Sequence, residues 1–398
     1  MRYPALVLMI VGLALPAWAA KQVTVAQLEK ALDGATVSRD AEVVKRLTQL
    51  ELTERLSDAR FVRLQTQMPG ALSQQALVAV ADASAFLKLP AEDLPATPAP
   101  DRAAQDAMLA KVFDYARRTI PRLPNFFATR ETTRFEETPA RPHQDPRHWN
   151  IAIPLHFNGK SIETVLYRNG NEIVEAEAQN QKAFDARGSG LDTSGAFGAI
   201  LPTVLADALQ GTLTWGYWEQ EPEGTLAVFR FSVPEKASHY TVASPTLGFE
   251  IRSAPAYHGE IEVNPADGAI LRLMILADLK PAGPVAEAGI MVRYDPVDIG
   301  GQTYICPLKS VARSVVRAVP GGPAAKGDAP NVMLEPTSNS MVMLDAPKKD
   351  EDALEATQVR VNDVLFKKYH LFRAETRIVT GEEPSSELPA IPAAVPQH

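Results

Sequence analysis

From Arg147 onward the chain repeats one pattern that restricts its fold: apolar and polar residues alternate in short runs separated by turn residues. Such alternation puts the apolar side chains of a strand on one face and the polar ones on the other. Asn169-Gly170, Asp267-Gly268 and Gly300-Gly301 lie between these runs, and such dipeptides are typical of hairpin turns. The pattern predicts an antiparallel β domain over residues 147–381.

Within this domain the strands, one helix and one loop can be placed by their composition. A helix is predicted at residues 199–210, and the Gly/Pro/Ala-rich residues 320–330 predict a flexible loop. The proline-rich residues 382–398 predict a disordered tail. The predicted strands are 149–157, 161–168, 171–178, 212–219, 225–233, 238–243, 257–263, 269–279, 288–294, 302–317, 340–345, 355–366 and 370–379.

The first part of the chain follows helical periodicity instead. Over residues 20–89, apolar side chains recur every three or four positions, which predicts a region of short helices. Thr24 and Gln27 have the spacing of a capping box. Asp40 and Thr53 are placed to cap two further helices. The apolar stripes of these helices predict a small core of their own.

Two segments join the helical region to the β domain. Residues 90–100 are rich in proline, which excludes a regular helix and predicts a stiff extended linker. Residues 101–146 predict a helix capped by Asp101 and ending near Ile120, followed by a connecting segment. The chain therefore belongs to the α+β class: an N-terminal helical region, a long antiparallel sheet, and a helix against that sheet.

The first nineteen residues predict an export signal. Arg2 supplies a positive charge, residues 5–15 form a short apolar run, and Ala17-Trp18-Ala19 is the small-x-small pattern of a cleavage site. The run is shorter than the roughly 20 residues of a membrane-spanning helix, and no later segment is long enough. We therefore expect a mature chain that starts at Ala20, does not span a membrane and works in the periplasm or outside the cell; the alternative is an uncleaved anchor.

Charge and cysteine content bear on the kind of partner and on the covalent bonds that the protein can have. The formal net charge of −8 is spread along the chain without a basic stripe, which disfavours a nucleic-acid partner. Cys306 is the only cysteine, so an internal disulfide is impossible. Its apolar neighbours favour a buried small hydrophobe over a reactive thiol.

The standard catalytic signatures are missing, including the nucleophile elbow, the phosphate-binding loop and the dinucleotide fingerprint. His143, Asp145 and His148, with His156 further on, could bind a divalent metal if the loop folded back. Because this stretch has linker composition, we expect no metal. Residues 187–195 could cradle an anion, although a flexible connection is the simpler interpretation. No cofactor is predicted.

Aromatic residues suggest where an apolar ligand could bind. Strict alternation puts Leu213, Trp215 and Tyr217 on one face of a strand, and Phe229 and Phe231 on one face of the next. These five residues are the predicted ligand-binding set. The competing interpretation is that the same face is ordinary core beneath a helix such as 199–210.

Two resemblances accompany these patterns. The chain resembles a family of secreted acidobacterial proteins without an assigned activity, and the resemblance is carried by residues 51–57, 79–87, 123–130 and 236–240. Residues 257–263 and 267–273, with the hairpin that follows, resemble the antiparallel ribbon of the lipoprotein-carrier half-barrel, the LolA or RseB type. The second resemblance implies an incomplete β-barrel that holds acyl chains or protein partners in an apolar concavity behind a helix.

Three functions remain open from the sequence. The leading one is a periplasmic or secreted binding protein for a lipid-like or other apolar ligand, or for an envelope protein partner. The alternatives are a hydrolase or other enzyme without a familiar motif, using rim residues such as His239, His258 and Asp278, and a structural envelope protein. An apolar cavity without convergent ionisable groups would favour binding, whereas clustered carboxylates or imidazoles in a cleft would favour catalysis.

Overall fold

The computed structural model describes residues 20–138, 141–142, 149–150, 153–174, 200–221, 224–246, 249–280, 285–317 and 357–372. The predicted signal peptide (1–19), the loop 320–330, the tail 382–398 and the residues His143, Asp145, His148 and 187–195 lie outside the described residues.

The N-terminal residues form a helical unit, here defined as residues 20–89. Its elements are β1 (Lys21–Val23), α1 (Val25–Ala31), α2 (Asp40–Leu47), β2 (Leu50–Leu52), α3 (Asp58–Gln65) and α4 (Ala71–Ala83). Strands β1 and β2 pair in parallel. The apolar stripes close on one another as predicted, and the resulting core contains Val25, Leu28, Leu32, Val43, Leu47, Leu52, Leu56, Leu64, Leu77 and Val80.

Within the helical unit, one predicted helix cap is present and two are corrected. The Thr24 side chain accepts from the backbone N–H of Gln27, and the capping box is complete. Asp40 does not cap its own helix: its carboxylate accepts from the backbone N–H of Ser73 and so caps α4. Thr53 lies before the helix it was expected to cap, because α3 begins after Ser57.

The proline-rich linker 90–100 contacts both parts of the molecule. Asp93 in the linker binds Arg60 of the helical unit, with Nη2 and Oδ1 2.6 Å apart. The carbonyl oxygen of Pro98 accepts from the indole N–H of Trp218, 3.0 Å away. Helix α5 (Arg102–Thr119) follows, and the Asp101 side chain caps it as predicted by accepting from Ala104.

The remaining elements build one large sheet and two short pairs. They are β3 (Phe126–Thr138), β4 (Arg141–Pro142), β5 (Trp149–Asn150), β6 (Ile153–Arg168), β7 (Asn171–Val174), α6 (Ile200–Ala208), β8 (Thr212–Glu221), β9 (Gly224–Val233), β10 (Val242–Thr246), β11 (Phe249–Ser253), β12 (Tyr257–Val263), β13 (Ile270–Ala277), β14 (Val285–Ile299), β15 (Gln302–Arg317) and β16 (Thr357–Leu371). The ten-stranded sheet has the order β7-β6-β3-β16-β15-β14-β13-β12-β9-β8 and is antiparallel throughout. The predicted α+β class, with N-terminal helices and an unclosed antiparallel sheet, is confirmed.

The sheet begins earlier than the predicted boundary at residue 147. Strand β3 lies between β6 and β16, although its residues were assigned to the connecting segment of 101–146. The strand was missed because it carries many charges, which are typical of a linker. In the structure these charges have cross-strand partners, as when buried Arg130 binds Glu163 with Nη2 and Oε2 2.5 Å apart.

The predicted hairpin turns are present. Gly300 and Gly301 have φ values of 67° and 86° and connect β14 to β15. Asn169 and Gly170, with φ values of 51° and 82°, connect β6 to β7. Two successive residues with positive φ form the tight turn that matches the twist of a hairpin.

The two faces of the sheet differ in chemistry and in what covers them. On one face, called the apolar face, Phe229, Tyr257, Leu273 and Val292 pack with α5 and α6. On the other, called the charged face, Met274, Met291 and Val311 contact α4 and the residues after it. Arg272, Arg293 and Lys309 lie on the charged face and bind carboxylates, two of them in the helical unit. The sheet is therefore the middle layer of three.

Candidate functional site

The predicted ligand-binding residues lie mostly in the core of the apolar face. Phe229 and Phe231 are 1% and 3% exposed. Leu213 and Trp215 are partly buried and pack against the same cluster. The ring centroid of Trp215 lies 5.5 Å from that of Phe229 in an edge-to-face contact. Helices α5 and α6 pack against this cluster, as the competing core interpretation expects. A role of these side chains in ligand binding stays a prediction.

Tyr217 does not share a face with Trp215, which corrects the predicted alternation. The register of β8 against β9 shifts at Gly216, so Trp215 pairs with Phe229 whereas Tyr217 pairs with Val228. The Tyr217 hydroxyl therefore donates to Glu260 Oε2, 2.8 Å away, on the charged face. A bulge reverses the alternation of every residue beyond it, which is why the pattern predicted the wrong face.

The apolar face also borders a cleft of about 500 Å³, called the apolar cleft. It lies between the C-terminal end of α5, the start of α6 and the beginning of β15. Its volume falls within the roughly 300–1,000 Å³ of small-molecule sites. Aliphatic and proline side chains form much of its wall: Ala116, Ile120, Leu123, Leu201, Pro202, Ile270, Pro296, Ile305 and Pro307.

A few polar groups border the apolar cleft, and most have protein partners. Tyr304 Oη donates to Gln302 Oε1, 2.7 Å away, and Thr119 Oγ1 donates to the Tyr115 carbonyl oxygen at 2.7 Å. Burial raises the pKa of Tyr115 to about 12. The Tyr294 ring is also part of the wall, and its hydroxyl has no hydrogen-bond partner among the described residues. Among the residues that the structure describes, the lining contains no Asp, Glu or His.

An ion network, called the Glu219 network, lies on the charged face beneath the helical unit. Glu219 accepts from Arg272, with Nη2 and Oε2 2.6 Å apart, and from Arg55 of the helical unit. Arg272 also binds Glu262, with Nη1 and Oε2 2.9 Å apart. All four side chains are at least nine-tenths buried, so this contact is desolvated.

The carboxylates of this network have strongly different pKa values. Burial raises the pKa of Glu219, but the guanidinium charges of Arg272 and Arg55 outweigh burial and lower it to about 2. Burial raises the pKa of Glu262 to about 7 against the opposing charge of Arg272. Burial and the nearby carboxylates Glu262 and Glu219 raise the pKa of Glu221 to about 8.

Oxygen atoms of Glu219, Glu221 and Glu262 all lie within 4.8 Å of one another, a spacing that a metal ion could bridge. Two of the three carboxylates already bind guanidinium groups of Arg55 and Arg272. The protein thus supplies its own cations at this point, and the cluster serves to join the helical unit to the sheet.

A second cleft, of about 520 Å³, opens between the helical unit, the linker and β8. Its carboxylates include Glu92, Asp93 and Glu219, and each is paired with an arginine: Arg60 binds the first two, and Arg55 and Arg272 bind the third. These ion pairs occupy the groups that a catalytic acid and base would need.

The rim residues proposed for the enzyme alternative form two separate pairs. His239 Nδ1 lies 2.7 Å from Asp207 Oδ1, and the same buried carboxylate accepts from the Tyr257 hydroxyl at 2.8 Å. His258 Nδ1 lies 2.8 Å from Asp278 Oδ1 in an exposed pair. Tyr257 and His258 are consecutive in β12, so their side chains point to opposite faces of the sheet. The pair at Asp207, which includes the Tyr257 hydroxyl, therefore lies on the other side of the sheet from His258.

Cys306 is fully buried, as the sequence predicts. Burial raises the pKa of its thiol to about 12. A thiol with so high a pKa is protonated near neutral pH and is a poor nucleophile.

Comparison of the chain with models of protein families, with curated proteins and with solved structures returns no match. Among the described residues, no helix combines the length and the apolar character needed to cross a membrane. A proposal about function therefore rests on the geometry of the clefts and side-chain clusters described above.

None of the five predicted ligand-binding residues lines the apolar cleft, which lies elsewhere on the same face. Its residues were missed because they come from segments far apart in the chain. Two local signals are present: Tyr115 and Ala116 share the apolar side of α5, and residues 304–308 form an apolar strand after a Gly-Gly turn. Neither signal shows that the two segments meet.

Proposed function

We propose that this protein is an exported binding protein that holds an apolar or lipid-like ligand in the apolar cleft. The observation that carries the proposal is the cleft's lining, in which the described residues supply aliphatic, proline and aromatic side chains with few polar groups and no carboxylate or imidazole. A concave site of this composition favours apolar ligands, and its described lining offers no carboxylate or imidazole as a general acid or base.

Two further points support the proposal, one on where the protein acts and one on its fold. Residues 1–19 have the pattern of a cleaved signal peptide, which favours the periplasm or the extracellular space. The unclosed antiparallel sheet with a helix on its apolar face is also the arrangement that the half-barrel resemblance implies. The first point supports export, and the second supports binding by fold analogy.

The direct test is a fluorescence titration of the purified mature chain with N-phenyl-1-naphthylamine, a neutral apolar probe. We expect saturable binding of one probe per chain, with the count checked by native mass spectrometry. Leu201→Trp places a larger ring in the wall of the cleft, and we expect it to weaken binding by about tenfold or more.

The matched control is Leu209→Trp, just beyond the end of α6, where the side chain is 67% exposed and is not part of the cleft. This variant should bind the probe as wild type does. Urea unfolding of both variants checks that they remain folded. An absence of saturable binding in wild type, or equal binding by the two folded variants, would contradict the proposal.

A further inference from the structure

We infer that the ligand of the apolar cleft is a single-chain amphiphile with an anionic head group, such as a fatty carboxylate, bound with its head at Arg122. The inference rests on the proposed function, because it names the ligand class for the same cleft. Arg122 is exposed, and among the described residues it is the only charged side chain in the cleft lining.

Arg122 is available for a ligand because it has no carboxylate partner. It forms no ion pair or side-chain hydrogen bond with any of the residues that the structure describes. Two arginines that precede it behave differently: Arg117 and Arg118 both bind Asp114, with shortest N–O distances of 2.7 and 2.8 Å. A guanidinium group matches a carboxylate in charge and in hydrogen-bond geometry.

The position of Arg122 in the chain argues against a purely helical role. Basic residues at the C-terminal end of a helix stabilise it by offsetting the partial negative charge there, and this effect is confined to the last turn. Arg117 and Arg118 already occupy the last turn of α5, which ends at Thr119. Arg122 lies beyond it, at the end of the short 3₁₀ helix Ile120–Arg122.

The rest of the cleft suits one hydrocarbon chain. Ile270 is 1% exposed and belongs to the buried core, whereas Leu201 and Ile305 are partly buried in the wall. An apolar tail along these side chains would be removed from water, and a head group at exposed Arg122 would remain solvated. A volume of about 500 Å³ lies in the lower half of the range for ligand sites, which favours one chain over two.

The test measures how three ligands with the same tail displace bound N-phenyl-1-naphthylamine at pH 8. Below the micelle concentrations of the two ionic ligands and the solubility limit of dodecanol, dodecanoate should displace the probe at about a tenfold lower concentration than dodecanol, and dodecyltrimethylammonium should be weakest. The preference for dodecanoate should decrease as salt is added, because Arg122 is exposed.

Variants at Arg122 distinguish recognition of the head group from binding of the apolar tail in the cleft. Arg122→Gln should abolish the preference for dodecanoate without changing the affinity for the neutral probe, and Arg122→Lys should retain most of it. Arg117→Gln removes the same charge from α5 outside the cleft and should leave the preference intact.

The possible failures are distinguishable. If wild type binds the probe but dodecanoate and dodecanol displace it equally, or if Arg122→Gln keeps the preference, the head-group inference is overturned while the proposed function stands. If the probe does not bind saturably to wild type, the proposed function itself is wrong.

Discussion

Glu221 shows how strongly a single buried carboxylate can depend on its surroundings. It is 5% exposed, lies within 4.8 Å of Glu219 and Glu262 through their carboxylate oxygens, and has Arg293 no closer than 4.0 Å. Burial and the two neighbouring carboxylates raise its pKa to about 8, whereas Glu219, held by two arginines, has a pKa of about 2. The number of close guanidinium groups therefore decides which carboxylate is charged at neutral pH.

This difference predicts a pH dependence of stability. A carboxylate whose pKa rises on folding binds an additional proton in the folded state, so its stabilising contribution is complete below about pH 4.5 and is lost as the pH rises through 8. Glu262 and Asp82, each with a pKa of about 7, act in the same direction. The free energy of unfolding should therefore fall between pH 5 and pH 8.5.

Glu221→Gln removes this proton linkage while keeping the shape of the protonated acid. We expect it to stabilise the protein by on the order of 1 to 3 kcal/mol at pH 8.5 and to change little at pH 5. Urea unfolding at both pH values measures this. Glu42→Gln, at an exposed carboxylate, is the control and should follow wild type. A Glu221→Gln profile parallel to that of wild type would refute the assignment.

At the scale of the element, β8 shows what local patterns can and cannot predict. The boundaries of β12 and β15 follow from alternation, since both strands have the predicted ranges 257–263 and 302–317. In β8 the bulge at Gly216 is invisible to alternation, because only the pairing with β9 identifies the extra residue. The apolar cleft is harder still to predict from the sequence, since it is formed by contacts between α5, α6 and β15.

The bulge leads to a prediction about deletions. Removing Gly216 leaves Trp215 opposite Phe229 and Tyr217 opposite Val228, so both strands keep their faces. Removing Val228 instead forces part of β9 into the wrong register in the sheet interior. We expect the Gly216 deletion to fold with a loss below about 2 kcal/mol and the Val228 deletion not to fold. Circular dichroism shows whether each variant folds, and urea unfolding measures its stability. An equal loss of stability in the two deletion variants would contradict this description of the bulge.

At the scale of the whole molecule, the three layers are held together by different forces. Apolar packing holds α5 and α6 to one face of the sheet, whereas a mixture of apolar contacts and buried ion pairs holds the helical unit to the other. The separate units could be predicted from the sequence because each has its own local periodicity. Their layering could not, because contacts such as Arg55 with Glu219 join residues 164 positions apart.

The Glu219 network should be essential for attaching the helical unit. Arg55→Ala leaves a buried carboxylate with one partner fewer, and we expect a loss of roughly 3 kcal/mol in the free energy of unfolding, because breaking a buried ion pair leaves a charge uncompensated. Limited proteolysis should then cut the linker 90–100 sooner. Arg63→Ala, at a 56% exposed side chain, is the control and should cost less than about 1 kcal/mol. Equal losses would show that the network contributes no more than a surface pair.

A crystal structure of the mature protein grown with dodecanoate would show whether the apolar cleft between α5, α6 and β15 holds an apolar chain. We expect electron density for the tail along Leu201, Ile270 and Ile305, with the carboxylate at Arg122. A cleft that stays empty at saturating dodecanoate, or one filled with the protein's own atoms, would rule out this ligand site.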